Sequence, residues 1–276
     1  MTDILNLVNE VASYAPDQNK EVSGGGTYTP PVEGVTRLRF ISYIEVGVVK
    51  RLVKGVAKQE DQCWLVFELS GPKHAPKVTD SGEKIPARIT LRLNNSRNEK
   101  AKAFKLFKRM NYEGKATHFS QLLGQAFLGT VSHYKFNGTD GKEVCIAQLE
   151  GPDGISVRPP KVEDVDTGEI RIIPVDPAIS PIRLFVWNAK PEHIGPMWNT
   201  LFIDGEPKVD DKGVAGRDPN IYQAQVKKAE NFVGSPIAEY LASKGEAPNI
   251  PDAERPAKAP VVTSEGSDDD LLAGVL

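Results

Sequence analysis

Thr36-Arg37-Leu38-Arg39-Phe40-Ile41-Ser42-Tyr43-Ile44-Glu45-Val46-Gly47-Val48-Val49 is the stretch on which the fold turns. Leu38, Phe40, Ile44, Val46 and Val48 share one parity; Arg37, Arg39, Ile41, Tyr43 and Glu45 share the other. Period two carried by β-branched and aromatic residues predicts a half-buried strand. The alternation recurs twice downstream. Residues 63–69 would turn Leu65, Phe67 and Leu69 inward and Trp64 and Val66 outward. Residues 88–93 would bury Ile89, Leu91 and Leu93 and expose Arg88 and Arg92.

The period then changes. Ser96-x-x-Glu99 reads as a capping box, in which hydroxyl and carboxylate each satisfy an amide of the first helical turn. Beyond it Ala103, Leu106, Phe107 and Met110 follow helical spacing, with Lys100, Lys102, Lys105, Lys108 and Arg109 on the other faces. This helix should end near residues 111–114, and residues 119–123 suit another turn. Two more strand patterns, 127–136 and 143–149, flank Asn137-Gly138-Thr139-Asp140-Gly141, a strong hairpin signal. Strand, strand, strand, helix, strand, strand is the element order of an OB-fold, a five-stranded Greek-key barrel with its helix between the third and fourth strands. The expectation is a mainly β protein with some α, its barrel spanning residues 35–150 and followed by a C-terminal extension.

Flanking segments read differently. Within residues 1–34, Ile4, Leu5, Leu7, Val8 and Val11 suit a short helix, and Gly24-Gly25-Gly26 and Pro30-Pro31 mark a linker. Residues 151–243 suggest an α+β extension packed on the barrel: a hairpin at 161–174 around Asp166-Thr167-Gly168-Glu169, a strand at 182–187, and helical segments at 191–203, 220–232 and 235–243. Residues 244–276 are rich in Pro, Ala, Glu and Lys, and read as a disordered linker ending in an acidic tail.

With 24 Gly and 21 Pro in 276 residues, a long-helix bundle is excluded. No apolar run approaches the roughly 18 residues of a membrane span, and the start lacks the basic and apolar regions of a secretion signal. Cys63 and Cys145 lie far apart without a Cys-x-x-Cys partner, so a disulfide framework or structural zinc is not expected and a cytoplasmic setting is the default. The formal net charge of -3 hides an asymmetry. Residues 35–150 hold 20 Lys/Arg against 11 Asp/Glu, leaving 14 basic and 26 acidic residues elsewhere. A basic centre with acidic flanks suits a polyanion-binding surface and segments that compete for it.

Catalytic signatures are missing from the sequence. It has no phosphate-binding Gly-rich loop and no Gly-x-Ser-x-Gly. His74, His118, His133 and His193 lack metal-ligand spacing with Asp, Glu or Cys. The pairs Asp164/Asp166 and Asp210/Asp211 sit in polar, loop-like sequence, and a nuclease reading would rest on them alone. No enzyme, metal or cofactor is expected.

Single-strand binding by a barrel needs cations along a groove and flat side chains on which unpaired bases stack. Arg37, Arg39 and Tyr43 share the outward parity of the first strand. Lys50, Arg51, Lys54 and Lys58 crowd the connection to the second, which carries Trp64. Arg88 and Arg92 follow on the third, Lys102 and Lys105 on the helix, and His133 and Lys135 on the fourth strand, with Tyr134 opposite. The tail, Asp268, Asp269, Asp270, Leu271 and Leu272 before Val275 and Leu276, mimics a phosphate chain while offering an apolar end to a partner's groove.

This combination resembles the single-stranded DNA-binding proteins encoded by tailed bacteriophages. The likeness rests on the element order, on Asn98-Glu99-Lys100-Ala101-Lys102-Ala103-Phe104-Lys105-Leu106-Phe107 leading to Leu123-Gly124-Gln125-Ala126-Phe127-Leu128-Gly129-Thr130-Val131-Ser132-His133, and on the ending at 268–276. It covers roughly residues 35–150 and the last ten. The resemblance implies sequence-independent binding and protection of single-stranded DNA in phage replication, recombination and repair inside the host cytoplasm. It also implies that the tail recruits polymerase, helicase-primase or recombination proteins. Two features depart from it. The last residue is Leu276, where many such tails carry an aromatic, and residues 151–243 have no counterpart. That segment covers the barrel, contributes to the groove or mediates self-association; the sequence leaves all three open. The alternative is a phage structural or assembly protein whose β domain packs in a virion.

Overall fold

Two β-bulges decide how the first strand is used. The computed structural model describes residues 29–53, 56–138, 141–152, 154–205 and 219–245, and from Pro30 on these belong to one compact unit. Strand β1 (Gly34–Val53) pairs antiparallel with β2 (Val56–Ser70), and the register slips between Phe40 and Ser42 and again between Glu45 and Gly47. Each slip adds a residue to one strand and moves the residues beyond it to the opposite face. The single parity expected for residues 36–49 therefore breaks. Leu38, Phe40 and Tyr43 face one core, and Ile41, Ile44 and Val46 face another. Gly47, at φ +93°, holds the second bulge; a Cβ there would lie 2.5 Å from Asn231 Oδ1 and 2.7 Å from the Trp187 ring.

A two-residue hairpin follows, β3 (Lys77–Val78) with β4 (Lys84–Ile85), then β5 (Arg88–Asn94), which alternates exposed and buried as predicted. Helix α1 spans Lys102–Met110, burying Ala103, Leu106 and Met110. Its start differs from the expected capping box: the N-cap is Ala101, without a side-chain cap. Ser96 Oγ instead accepts from the Asn98 amide at 3.2 Å and Asn98 Oδ1 from that of Lys100 at 2.9 Å, so the polar cluster shapes a turn before the helix. After a 3-10 turn at Phe119–Leu122 come β6 (Ala126–Asn137) and β7 (Glu143–Gln148), joined at the expected hairpin.

The main sheet runs β5-β2-β1-β6-β7, antiparallel throughout this path. It does not close into the expected barrel. Strands β5 and β7 end it, with no ladder between them among the described residues. Leu106 and Met110 of α1, with Phe119 and Leu122, fill the inner core together with Phe40, Leu65, Phe67, Leu91 and Phe127. Phe40 stacks on Phe67 at 5.1 Å and Tyr43 on Phe119 at 5.5 Å.

The extension follows the predicted element types. Short pairs β8 (Glu150–Gly151) with β9 (Gly154–Ile155), and β10 (Lys161–Glu163) with β11 (Ile170–Ile172), lead to β12 (Arg183–Phe185) and to helices α2 (Pro191–Thr200), α3 (Ile221–Lys227) and α4 (Pro236–Ser243). Strand β12 adds parallel to β1 beyond the point where β6 leaves it, pairing Ser42 with Arg183 and Ile44 with Phe185. The helices cover the outer face of the sheet. Ile194, Trp198, Tyr222, Val226, Phe232, Ile237 and Leu241 bury Ile41, Ile44, Val46, Trp64 and Val66 in a second core. Hydrogen bonds fix the cover. The amides of Ile179 and Ser180 donate to Glu68 at 2.8 and 2.7 Å, and that of Trp187 to Glu45 Oε2 at 2.9 Å. Among the described residues no helix is long and apolar enough to cross a membrane. The expected N-terminal helix, Lys54, Asp210/Asp211 and the acidic tail lie outside the described residues.

Candidate nucleic-acid interface

The structure separates the expected binding residues into three groups. Some serve the fold. Tyr43 is 1% exposed; its hydroxyl donates to Glu45 Oε1 at 3.2 Å, and burial first, then the neighbouring acids, push its pKa upward. Trp64 is 5% exposed, meeting Tyr222 edge-on at 6.2 Å under the extension. Neither offers a face to a base, and both depart from the expected role. Parity places them outward, but the bulge turns Tyr43 inward and the extension seals Trp64. Arg39 is committed too. Nη1 donates to the Gly124 carbonyl at 2.9 Å, Nε to that of Asp176 at 3.0 Å, and Nη2 to Val175 and Asp176. His133 donates from Nε2 to the Pro31 carbonyl at 2.7 Å, and its amide to Glu33 at 2.8 Å. It pins the incoming chain, as His74 does through the Val32 carbonyl at 2.7 Å.

A second group carries its charge in ion pairs. Lys50 meets Glu230 at 2.8 Å, Arg51 meets Glu60 at 3.2 Å, Lys102 meets Glu150 at 3.8 Å and Lys135 meets Glu143 at 3.0 Å. The exposed pairs among these are weak and exchangeable for phosphate, because water and salt screen them. The third group stands outward: Arg88 and Arg92 on β5 and Lys105 on α1 are exposed, while Arg37 is half-buried. The guanidinium of Arg92 lies 4.7 Å from the Trp64 ring centroid. Lys108 and Arg109 extend the cationic face of α1, Arg109 bonding the Ile155 carbonyl.

Sequence reading leaves Tyr134 open between core and base platform and does not pair it with Phe136, the most suitable aromatic surface. Tyr134 and Phe136 stack on each other on β6, centroids 5.7 Å apart and planes 25° from parallel. Tyr134 and Phe136 are half-buried, and neither belongs to either core. Their ladder partners are Ile146 and Val144, so this face of the β6–β7 hairpin is an apolar, aromatic strip. The i, i+2 spacing of Tyr134 and Phe136 on a strand is the signal that points to it.

Around Glu45 lies a polar cluster. Its Oε1 accepts from Tyr43 and lies 3.6 Å from His118 Nε2, while Oε2 holds the extension through Trp187. Asp61 joins from β2, with Asn95 Nδ2 donating to it at 3.2 Å. Crowding by the protein and the charge of Glu45 raise its pKa to about 6, and the Asn95 bond opposes the shift. The Cys63 thiol is pushed up by burial and by Asp61 and Glu45, which makes it unreactive. Asp164 accepts from the Asp166 and Thr167 amides, which lower its pKa, so this acid pair builds a turn. No three His, Cys, Asp or Glu among the described residues are placed to hold a metal ion. A cleft of about 230 Å³ lies between Met110, Glu113, Lys115, Gln121 and Gln125 and gathers no catalytic constellation. No protein-family model, curated protein or solved structure matches the chain.

Proposed function

We propose that the protein binds single-stranded DNA without sequence preference, through an OB-type arrangement of β1, β2, β5, β6 and β7, and serves replication, recombination or repair of phage-type DNA. The observation that carries the reading is the Tyr134–Phe136 stack, an aromatic strip with no part in either core, on the hairpin between the last two strands of that arrangement. The hairpin between strands four and five is one of the places where OB-folds take oligonucleotides. Arg88, Arg92 and the cationic face of α1 supply phosphate contacts. The strand order with α1 between β5 and β6 supports the OB assignment, and the open ladder is its departure. Under this reading no chemistry is performed on the strand, and the acidic tail recruits partner proteins in the host cytoplasm.

Fluorescence anisotropy of labelled oligo-dT at two salt concentrations, with duplex DNA as competitor, tests the proposal. Binding should weaken steeply with salt, since Lys and Arg displace counterions from phosphates. Tyr134→Ala and Phe136→Ala should each weaken it by about 1–3 kcal/mol, the worth of a stacked base. Failure to bind oligo-dT at low salt, with the tail present or deleted, would overturn it. A second reading, an assembly protein, is favoured by the projecting β10–β11 hairpin. There Ile170 and Ile172 are exposed and Val165 is 98% exposed. Salt-insensitive self-association without nucleic acid would select that reading.

A further inference from the structure

Arg183 opens β12 and is paired in register with Ser42 of β1. It is 6% exposed, and its guanidinium lies 5.7 Å from the ring centroid of Tyr222 in α3. Among the described residues it has no ion pair, and its Nε has no hydrogen-bond partner. Glu68, the buried carboxylate of this unit, is already committed to the Ile179 and Ser180 amides. Burial and the like charge of Arg88 depress the Arg183 pKa, and Tyr222 opposes them. Two more buried donors are unsatisfied beside it. They are Ser42 Oγ, on its register partner, and Trp64 Nε1, whose ring packs on Tyr222.

A guanidinium withdrawn from water normally sits against an anion, because desolvation without a counter-charge is among the largest penalties a fold can carry. Here the like charge of Arg88 adds to that cost, and the Glu68 carboxylate opposite Arg88 in register is turned to the Ile179 and Ser180 amides. A planar fork of N–H donors, a second guanidinium and an orphaned hydroxyl suit a tetrahedral oxyanion, for which arginine is the preferred ligand. Arg88 is exposed on β5, next to the Val66–Thr90 row that continues from Ser42.

We propose that Arg183, with Arg88 and Ser42 Oγ, forms a binding notch for one phosphate group between the sheet and α3. Its use for a phosphodiester of a bound strand rests on the nucleic-acid reading above; free phosphate is the other source of the same chemistry. Two measurements on the full chain separate them. The first is thermal melting in inorganic phosphate against chloride at equal ionic strength. The second is oligo-dT anisotropy over a salt series. Wild type should melt at least about 2 °C higher in phosphate, as expected for a ligand that binds only the native state. Arg183→Met should lose that increment while melting no lower than wild type in chloride, because it removes a buried charge. It should also bind oligo-dT several-fold more weakly, with the salt slope reduced by about one phosphate contact. Arg88→Gln, a surface change, should lose part of both effects and serves as the test if Arg183→Met does not fold. Oligo-dT binding that is unchanged in both variants, with no phosphate increment in wild type, overturns the notch and leaves strand binding standing. A phosphate increment that is lost in the variants, in a protein that does not bind oligo-dT, supports a free-phosphate site and removes the strand reading.

Discussion

Glu68→Ala tests whether the extension is part of the folded unit or merely rests on it. The carboxylate is 3% exposed and accepts the Ile179 and Ser180 amides at 2.8 and 2.7 Å. Hydrogen bonds to a charged group contribute about 1.5–3 kcal/mol each, so the pair is worth about 3–6 kcal/mol before compensation. Two effects reduce the loss. Ile179 is exposed, so water reaches its amide in the variant. Removing a buried carboxylate also recovers desolvation energy. The expected net destabilisation is about 2–3 kcal/mol, at the upper end of ordinary single substitutions. Glu68→Gln keeps one acceptor but turns an NH2 toward an amide, and should cost about 2 kcal/mol.

The assay is urea unfolding followed by tryptophan fluorescence, since Trp64 and Trp198 lie in the core that the extension closes. Cover and sheet share that core, so the whole midpoint should move. If the cover loosens first, an early transition should appear along with faster proteolysis in residues 175–190. Midpoints within about 0.5 kcal/mol of wild type, the range of inert surface changes, together with unchanged proteolysis, would refute the reasoning.

Gly47→Ala should destabilise by about 2–4 kcal/mol, combining a left-handed backbone penalty of about 1–2 with overpacking against Trp187 and Asn231; a thermal melt unchanged from wild type would contradict the bulge geometry. Asp61 holds its proton more tightly in the folded chain, pKa about 6, than at its ordinary 3.8, so this group lowers stability as pH rises from about 4 to 6 and not beyond. Asp61→Asn should therefore stabilise at pH 7.5 relative to wild type, with the gain vanishing at pH 4; equal urea-midpoint differences at the two pH values would count against the shifted carboxyl. Tyr134→Ala and Phe136→Ala should leave the melting temperature within a few degrees of wild type, since neither ring belongs to a core, and their loss should be read in oligo-dT affinity; a large drop in melting temperature would make the strip structural.

The local elements are legible because their signals are local. Alternation in residues 88–93, helical spacing from Ala103 to Met110 and the pairing of β6 with β7 each survive into the structure, whereas residues 63–69 form the expected strand but are buried on both faces. The bulges are not, because a bulge is recorded in the partner strand's register as much as in its own sequence. Gly47 is the one local trace of the second bulge, and Phe40–Ser42 leaves none. Parity misplaces Tyr43 for that reason alone. The charged residues mislead in another way. Arg39 reads as surface by parity, and it is bound to chain more than a hundred residues away, as is Glu68.

The second core explains why Tyr43 and Trp64 depart from the role that parity assigns them. β12 is three residues long and α3 seven, too short for period to declare a face. Their apolar residues are evident in the sequence, but the surface they bury is the outer face of β1 and β2, which parity alone assigns to ligand. Once Trp64 and Val66 are sealed beneath Tyr222 and Val226, a strand has no route across the middle of the sheet. Under the proposed reading, contacts would fall at its margins: the aromatic strip of the β6–β7 hairpin, and the arginines on β5. The buried Trp64 carries the Arg92 guanidinium over its face at 4.7 Å, so the aromatic that the sequence offers as a stacking platform is instead packed against a cation.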